Sequence, residues 1–466
     1  MRNVFNVGGK PIMSVSFWQG VTTVFQARPN APRLTDPAAI DAAYRHWRVR
    51  VMVGTLIGYA LFYFCRKNLA IALPTLGKDL GYTNTQLGIL SSVLYITYGV
   101  GKFVNGVLGD HANPRWFMAV GLALSALMNF FFGFSSTLGA FLLFWAVNGW
   151  VQSMGFPPCA RLLAHWYSVS ERGFLWGIWN TSHQIGGAVI VVLAGYLIQN
   201  YGWRSGFWVP GAICLVGAVW LAERLRDTPG SLGLPPIAEH RRDPEMTPDG
   251  RLVSDEPETI KQIVFGRVLN NRPLLLVAFM NLFVYIVRTG AFDWTAKFFV
   301  ERNQSSLVTA GAMTGTFELA GIGGALLAGA ISDRLSQRRR GPVCVVFLVL
   351  TAVVLGLLYL IPPGHPYLHG VGFGLLGFLI YGPQFLVGVF VTDIASSKAA
   401  ATAIGVTGIF GYLGASLSGL GTGYFVDRYG WAGGFAFWIG AALLGALVGM
   451  PLWRVGTGKT STVVAS

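Results

Sequence analysis

Residues 195–207 read GYLIQNYGWRSGF, and residues 423–435 read GYFVDRYGWAGGF, an offset of 228 residues. The same offset carries Gly177 to Gly405 and Gly186 to Gly414, and GVLGD (106–110) returns as GAISD (329–333). Several matches at nearly constant spacing point to a chain built from two structural repeats. Each copy of the longer motif links two apolar runs, so the repeat unit is a set of membrane spans.

The composition agrees. Only 12% of the 466 residues are charged, against about 25% in an average soluble domain, and the mean hydropathy is +0.54. Apolar runs of about 20 residues, each enough to cross a bilayer as a helix, recur along the whole chain. They place spans at 51–76, 86–109, 116–134, 139–161, 173–198 and 206–223, then at 274–299, 307–332, 342–361, 369–393, 401–426 and 433–453. The expected fold is therefore an all-α membrane protein of twelve transmembrane helices in two pseudo-symmetric six-helix bundles. Its expected divisions are an N-terminal tail (1–48), a first bundle (49–223), a polar central linker (224–272), a second bundle (273–454) and a C-terminal tail (455–466). A short interfacial helix over SFWQGVTTVF (16–25) is an alternative to a structureless start, and no signal peptide is visible.

The net charge of +14 is a matter of topology rather than of nucleic-acid binding. With both ends on one side, the tails and loops of that side hold 25 Lys and Arg and the opposite loops hold 5. The positive-inside rule then makes both termini cytoplasmic. The four cysteines (Cys65, Cys159, Cys214, Cys344) lie in apolar segments without metal-ligand spacing, and read as packing residues. No metal cluster, nucleotide loop or catalytic dyad is visible, so no cofactor and no catalytic residue is expected.

Four basic residues fall deep inside spans, away from their ends: Arg66, Lys67, Lys102 and Arg288. Arg66 lies in YALFYFCRKNLAIAL (59–73) and Arg288 in NLFVYIVRTGAFDW (281–294). Each is about 21–22 Å from the start of its helix at 1.5 Å per residue, near mid-membrane. A guanidinium stays charged there at a cost of several kcal/mol. Two at matching places in the halves suggest an anion site shared between them, because paired forks can hold a phosphate dianion from opposite sides. Lys67 points about 100° away from Arg66, and Asp293 lies on another face from Arg288. These two are expected to pair across the halves as a state-dependent gate. Lys102 either contacts the ligand or balances Glu318. Tyr63 and Tyr285 each precede an arginine by three residues and share its helix face. Pro157, Pro158 and Pro383 are expected to bend spans 4 and 10.

These residues resemble the major facilitator superfamily. GVLGDHANPR (106–115) and GAISDRLSQRRR (329–340) are similar to its loop signature, in which Gly106, Asp110, Arg115, Asp333 and Arg334 fall. The resemblance implies close packing at the glycines and a clasp between acid and base. More specifically, YFCRKN (63–68), YITYGVGKFVNGVLGD (95–110), GFPPCARLLAHWYSVSERG (155–173), WNTSHQIGG (179–187), FVYIVRTGAFDW (283–294), FELAGIGGALLAG (317–329), YGPQFLVG (381–388) and GIFGYLGASLSG (408–419) resemble the organophosphate:phosphate antiporter family. The resemblance runs from about residue 49 to 453.

It implies that Arg66 and Arg288 bind phosphate and that His183 belongs to the substrate site. It also places Tyr59, Tyr63, Tyr98, Tyr285, Tyr381, Tyr412, Phe156 and Trp179 around a central cavity. The implied activity is exchange of a sugar phosphate, hexose-6-phosphate or glycerol-3-phosphate, for inorganic phosphate by a monomer in a bacterial inner membrane. The alternative is a receptor of the same family that senses external hexose phosphate for a two-component system. One departure bears on the sugar: the family's hexose-6-phosphate transporter carries Asp and Lys in span 11, where this chain has Ile404 and Thr407. That span is closer to the glycerol-phosphate transporter, while the first half is closer to the sensor.

Overall fold

A computed structural model describes residues 26, 28–243, 262–335, 339–395 and 399–456. The expected helix at 16–25 lies outside the described residues. The first half contains α1 (Pro37–Leu80), α2 (Asn84–His111), α3 (Pro114–Phe134), α4 (Leu138–Gln152), α5 (Phe156–Trp166), α6 (Val169–Tyr201) and α7 (Ser205–Arg224). A one-turn helix α8 (Ile237–Arg241) stands between the halves. The second half contains α9 (Arg272–Asn303), α10 (Leu307–Arg334), α11 (Gly341–Leu360), α12 (Pro366–Ile394) and α13 (Ala400–Gly449). Ten of these helices are long and apolar enough to cross a membrane. Counting α4 and α5 as one broken crossing and α13 as two gives the expected twelve.

Both exceptions have local causes. Span 4 is not one bent helix. It breaks at the turn 153–155, and Pro157 and Pro158 open the first turn of α5, where a missing N–H leaves no helical bond unmade. Pro383, by contrast, lies inside an unbroken α12. Spans 11 and 12 run together as α13 except at Gly430, whose φ of 62° leaves the helical region. Its counterpart in the repeat, Gly202, has a φ of 83°. Both sit in the left-handed half of backbone space that glycine adopts at little cost, and each reverses the chain between consecutive spans.

The aromatic residues after these glycines explain the rest of the motif. Phe207 stacks on Phe132 at 4.3 Å, and Trp203 meets Phe141 at 5.7 Å. In the second half Phe435 meets Phe298 at 5.3 Å, and Trp431 meets it at 5.2 Å. The repeated letters thus lock the last two spans of each bundle into its core.

Residues 28–44 pack against the segment that joins the halves. Ala31 and Leu34 donate backbone bonds to Gly230 and Gly233 (2.9 and 2.8 Å), and Tyr44 stacks on His240 at 4.3 Å. Helix α1 therefore begins inside the segment read as tail, capped by the Asp36 side chain with Pro37 in its first turn.

The two halves meet tightly at the opposite face. A Cβ at Gly88 of α2 would strike the carbonyl oxygen of Gly419 on α13, so only glycine allows this approach. Asp427 accepts from the backbones of Asn84 (3.0 Å) and Thr85 (2.7 Å), and Gln199 accepts from Val308 (3.1 Å). On the face of residues 28–44 the ion pairs Arg48–Glu171 and Arg161–Asp227 do not cross from one bundle to the other.

Candidate functional site

A cavity of about 140 Å³ lies between the halves. Among the sequence-predicted residues it is lined by Tyr59, Tyr63, Arg66, Lys67, Tyr98, Lys102, Phe156, Trp179, His183, Tyr285, Arg288 and Tyr412. The arginines thus face one space although 222 residues separate them in the chain. Tyr95, Asn180, Thr289 and Gln384 also line it, unforeseen in the sequence. Thr289 and Gln384 follow the predicted Arg288 and Tyr381 by one and three positions.

Arg66 is 7% exposed. Its guanidinium carbon lies 4.8 Å from the Tyr63 ring and 4.3 Å from the Tyr98 ring. Tyr98 packs on Tyr412 at 4.7 Å, which brings a ring from each half together. Arg66 Nε donates to Gln152 Oε1 at 3.2 Å. Arg288 is held differently: its Nη2 donates to Tyr381 Oη at 2.8 Å, and the Tyr381 hydroxyl in turn donates to Glu318. Two expectations are corrected here. Tyr381 stands behind Arg288 as a bridge to Glu318 and is not among the residues lining the cavity. Glu318 reaches the site through that hydroxyl and forms neither a direct ion pair nor the balance for Lys102. The Lys102 ammonium instead lies over the rings of Phe156 (5.0 Å) and Tyr412 (5.4 Å).

Five polar atoms of cavity-lining residues, Arg66 Nη2, Arg288 Nε, His183 Nε2, Trp179 Nε1 and Gln384 Oε1, are buried without a hydrogen-bond partner. Leaving a buried polar group unpaired costs about 1–3 kcal/mol, more for a charged one. An anion in the cavity would supply acceptors for the guanidinium groups. His183 sits between the rings of Tyr63 (5.7 Å) and Tyr381 (6.3 Å), so it touches both arginine environments. Replacing His183 with Ala is expected to weaken ligand affinity about tenfold, the scale of one lost hydrogen bond in a buried site, with little change in folded yield. An unchanged affinity would leave His183 as packing alone.

Lys67 turns away from the arginine beside it and reaches Asp293 Oδ1 at 2.8 Å. The Tyr95 hydroxyl completes the contact, accepting from Lys67 (3.0 Å) and donating to Asp293 Oδ2 (2.6 Å). The group joins α1 and α2 of one half to α9 of the other. It lies between the cavity and the tightly packed opposite face.

The loop signature divides between two behaviours. In the second half Arg340 binds Asp333 (2.5 Å) and Asp393 (2.9 Å), tying α10, α11 and α12 together. In the first half Arg161 takes the backbone oxygen of Asp110, and Arg115 donates to the carbonyl of Ala222. Arg334 ends α10. Gly106 does not serve close packing: a Cβ there would meet nothing within 4 Å, whereas one at Gly109 would come within 2.7 Å of Pro157. The tight approach belongs to the second glycine of the motif.

Comparison with known proteins agrees with this architecture. The Major Facilitator Superfamily model matches residues 55–419. The chain is 42% identical to a probable hexose phosphate transport protein of Chlamydia trachomatis over 93% of its length and 97% of that protein. It is 40% identical to the glycerol-3-phosphate transporter of Bacillus subtilis (93% and 98% covered) and 38% identical to the membrane sensor protein UhpC of Escherichia coli (93% and 98%). Among solved structures, an inward-facing, occupied bacterial homolog of the human lysosomal transporter Spinster superposes with a TM-score of 0.68 at 16% identity, covering 87% of this chain and 94% of that one. With its all-helical two-half fold and these relatives, the chain belongs to the Major Facilitator Superfamily and, within it, to the family of the organophosphate:phosphate antiporters.

Proposed function

We propose that the protein exchanges a sugar phosphate for inorganic phosphate across a bacterial inner membrane by alternating access, as a monomer. It is not an enzyme. The observation that carries the reading is the pair of arginines, one from each half, facing one cavity with buried N–H groups unpartnered. Two charged guanidinium groups in an empty dry core oppose reorientation, and a bound phosphate offsets that cost. Both ligands carry the phosphate, so each half-cycle moves one of them, which is obligatory exchange. The halves rock about the site.

In the orientation given by the basic loops, the termini are cytoplasmic and the tightly packed face is external. The structure then corresponds to the state closed to the outside. The ligand is a neutral polyol or sugar bearing one phosphate. Glu318 stands behind Arg288, and Lys102, though it lines the cavity, rests on the rings of Phe156 and Tyr412, so a carboxylate added to the substrate finds no cation beyond it. Glucose-6-phosphate is favoured weakly over glycerol-3-phosphate by the sensor-like first half.

The test is a panel on phosphate-loaded proteoliposomes challenged with glucose-6-phosphate, glycerol-3-phosphate, phosphoglycerate and phosphoenolpyruvate. Release of labelled phosphate by the first two, well above the phosphorylated carboxylates, is expected. Preference for phosphoglycerate or phosphoenolpyruvate overturns the charge count and moves Lys102 into the substrate site. Counterflow near background with every ligand favours the sensor, the reading suggested by the 38% identical sensor relative.

A further inference from the structure

The two arginines of the site are supported by unlike chemistry, and the support of Arg66 lies in side chains to which no role has been given above. Gln152, the last residue of α4, is fully buried. Its oxygen accepts from Arg66 Nε at 3.2 Å. Its amide nitrogen donates to the carbonyl of Phe62, one turn before the arginine, at 2.9 Å, and to Ser125 Oγ at 2.6 Å.

Behind it the bonds continue. Ser125 Oγ donates to Asn148 Oδ1 (2.7 Å), while Asn148 and Asn129 both donate to the carbonyl of Cys65 (2.8 and 3.1 Å). Asn68 donates to Asn129 Oδ1 (2.8 Å) and to the carbonyl of Gly206 on α7 (2.9 Å). Four helices, α1, α3, α4 and α7, are thereby tied around the one turn of α1 that carries Arg66. Each of these five polar side chains is fully buried. A buried amide is retained at little cost only when its bonds are made.

Every member is neutral. An acid in the place of Gln152 would orient the guanidinium equally well and neutralise it. An amide orients it and leaves the whole charge to the ligand.

We infer that Gln152 is a positioning residue for phosphate binding: through a charge-neutral network it fixes Arg66 toward the cavity and keeps its charge uncompensated. This rests on the reading of the cavity as a phosphate site. The break of span 4 is part of the device, since α4 ends at Gln152 and the chain turns before the prolines of α5.

The decisive variant is Gln152→Glu, with equilibrium binding of inorganic phosphate to the purified full chain as readout. At about pH 8 its carboxylate neutralises Arg66 and faces the Phe62 carbonyl. Phosphate Kd should then rise about tenfold to a hundredfold over the parent, the scale of a lost charge-assisted bond. Gln152→Leu should also bind weakly. A Gln152→Glu variant that matches the parent, or that loses affinity only together with a lowered melting temperature, overturns the inference. A parent that binds no phosphate overturns the underlying reading instead. If Gln152→Glu does not fold, Ser125→Ala takes its place. Loss of only the hydroxyl bonded to Gln152 should weaken phosphate several-fold at an unchanged melting temperature, and unchanged affinity would refute the role.

Discussion

Arg66→Lys and Arg288→Lys should each reduce phosphate exchange by about two orders of magnitude or more, with folded, inserted protein in normal yield. Lysine keeps the charge but offers a point donor on a flexible stem, and cannot make two parallel bonds to one anion. Losing one or two charge-assisted bonds at about 1.5–3 kcal/mol each is enough for that fall. The surroundings sharpen the expectation. Arg66 Nε is already committed to Gln152 and one Nη2 of Arg288 to Tyr381, so each guanidinium uses part of its fork for support and the rest for the ligand. An ammonium cannot divide itself that way. The measurement is exchange of labelled phosphate in proteoliposomes, alongside size-exclusion profiles and melting curves. Near-normal exchange by both lysine variants would remove the central-site account.

A comparably large effect is expected at the junction of the halves. Asp293→Ala strands the Lys67 ammonium, which is 6% exposed and lies 4.3 Å from the centre of the Phe292 ring. Removing one partner of a buried pair costs about 3–5 kcal/mol. Part of that penalty is relieved by separating the halves, so the variant should favour the conformation open at the opposite face and exchange slowly. Deleting both partners, Lys67→Ala with Asp293→Ala, should recover much of the melting temperature, because no charge is then left unpaired. A double variant no more stable than Asp293→Ala would deny the coupling. Cysteines placed at 67 and 293 report the same event directly. A short crosslinker should join them chiefly when the opposite face is closed, and the yield should respond to substrate. Equal yields under all conditions would make the contact static.

The sequence by itself determined the membrane class, the two repeats, nearly every span and the arginine pair. Those signals are one-dimensional. Twenty apolar residues declare a span wherever they occur, the two YGW turns repeat because Gly202 and Gly430 need positive φ, and an arginine in an apolar run stands out through its cost alone. The pairing of Lys67 with Asp293 was also within reach, since opposite charges stranded in apolar helices have few partners to choose from.

What only the tertiary structure decided is how those charges are backed. Gln152 lies 86 residues from Arg66, and Glu318 meets Tyr381 across 63. Nothing in an apolar span marks which of its few amides or hydroxyls will face a given helix, because that depends on rotations and crossing angles set by all the packing at once. For the same reason Gly106 read as a contact and proved open, Tyr381 read as cavity wall and proved a bridge, and Tyr95 went unread although it touches both members of the cross-half pair. Hydropathy records the cost of burying each residue alone; the partner that offsets it is chosen by the fold.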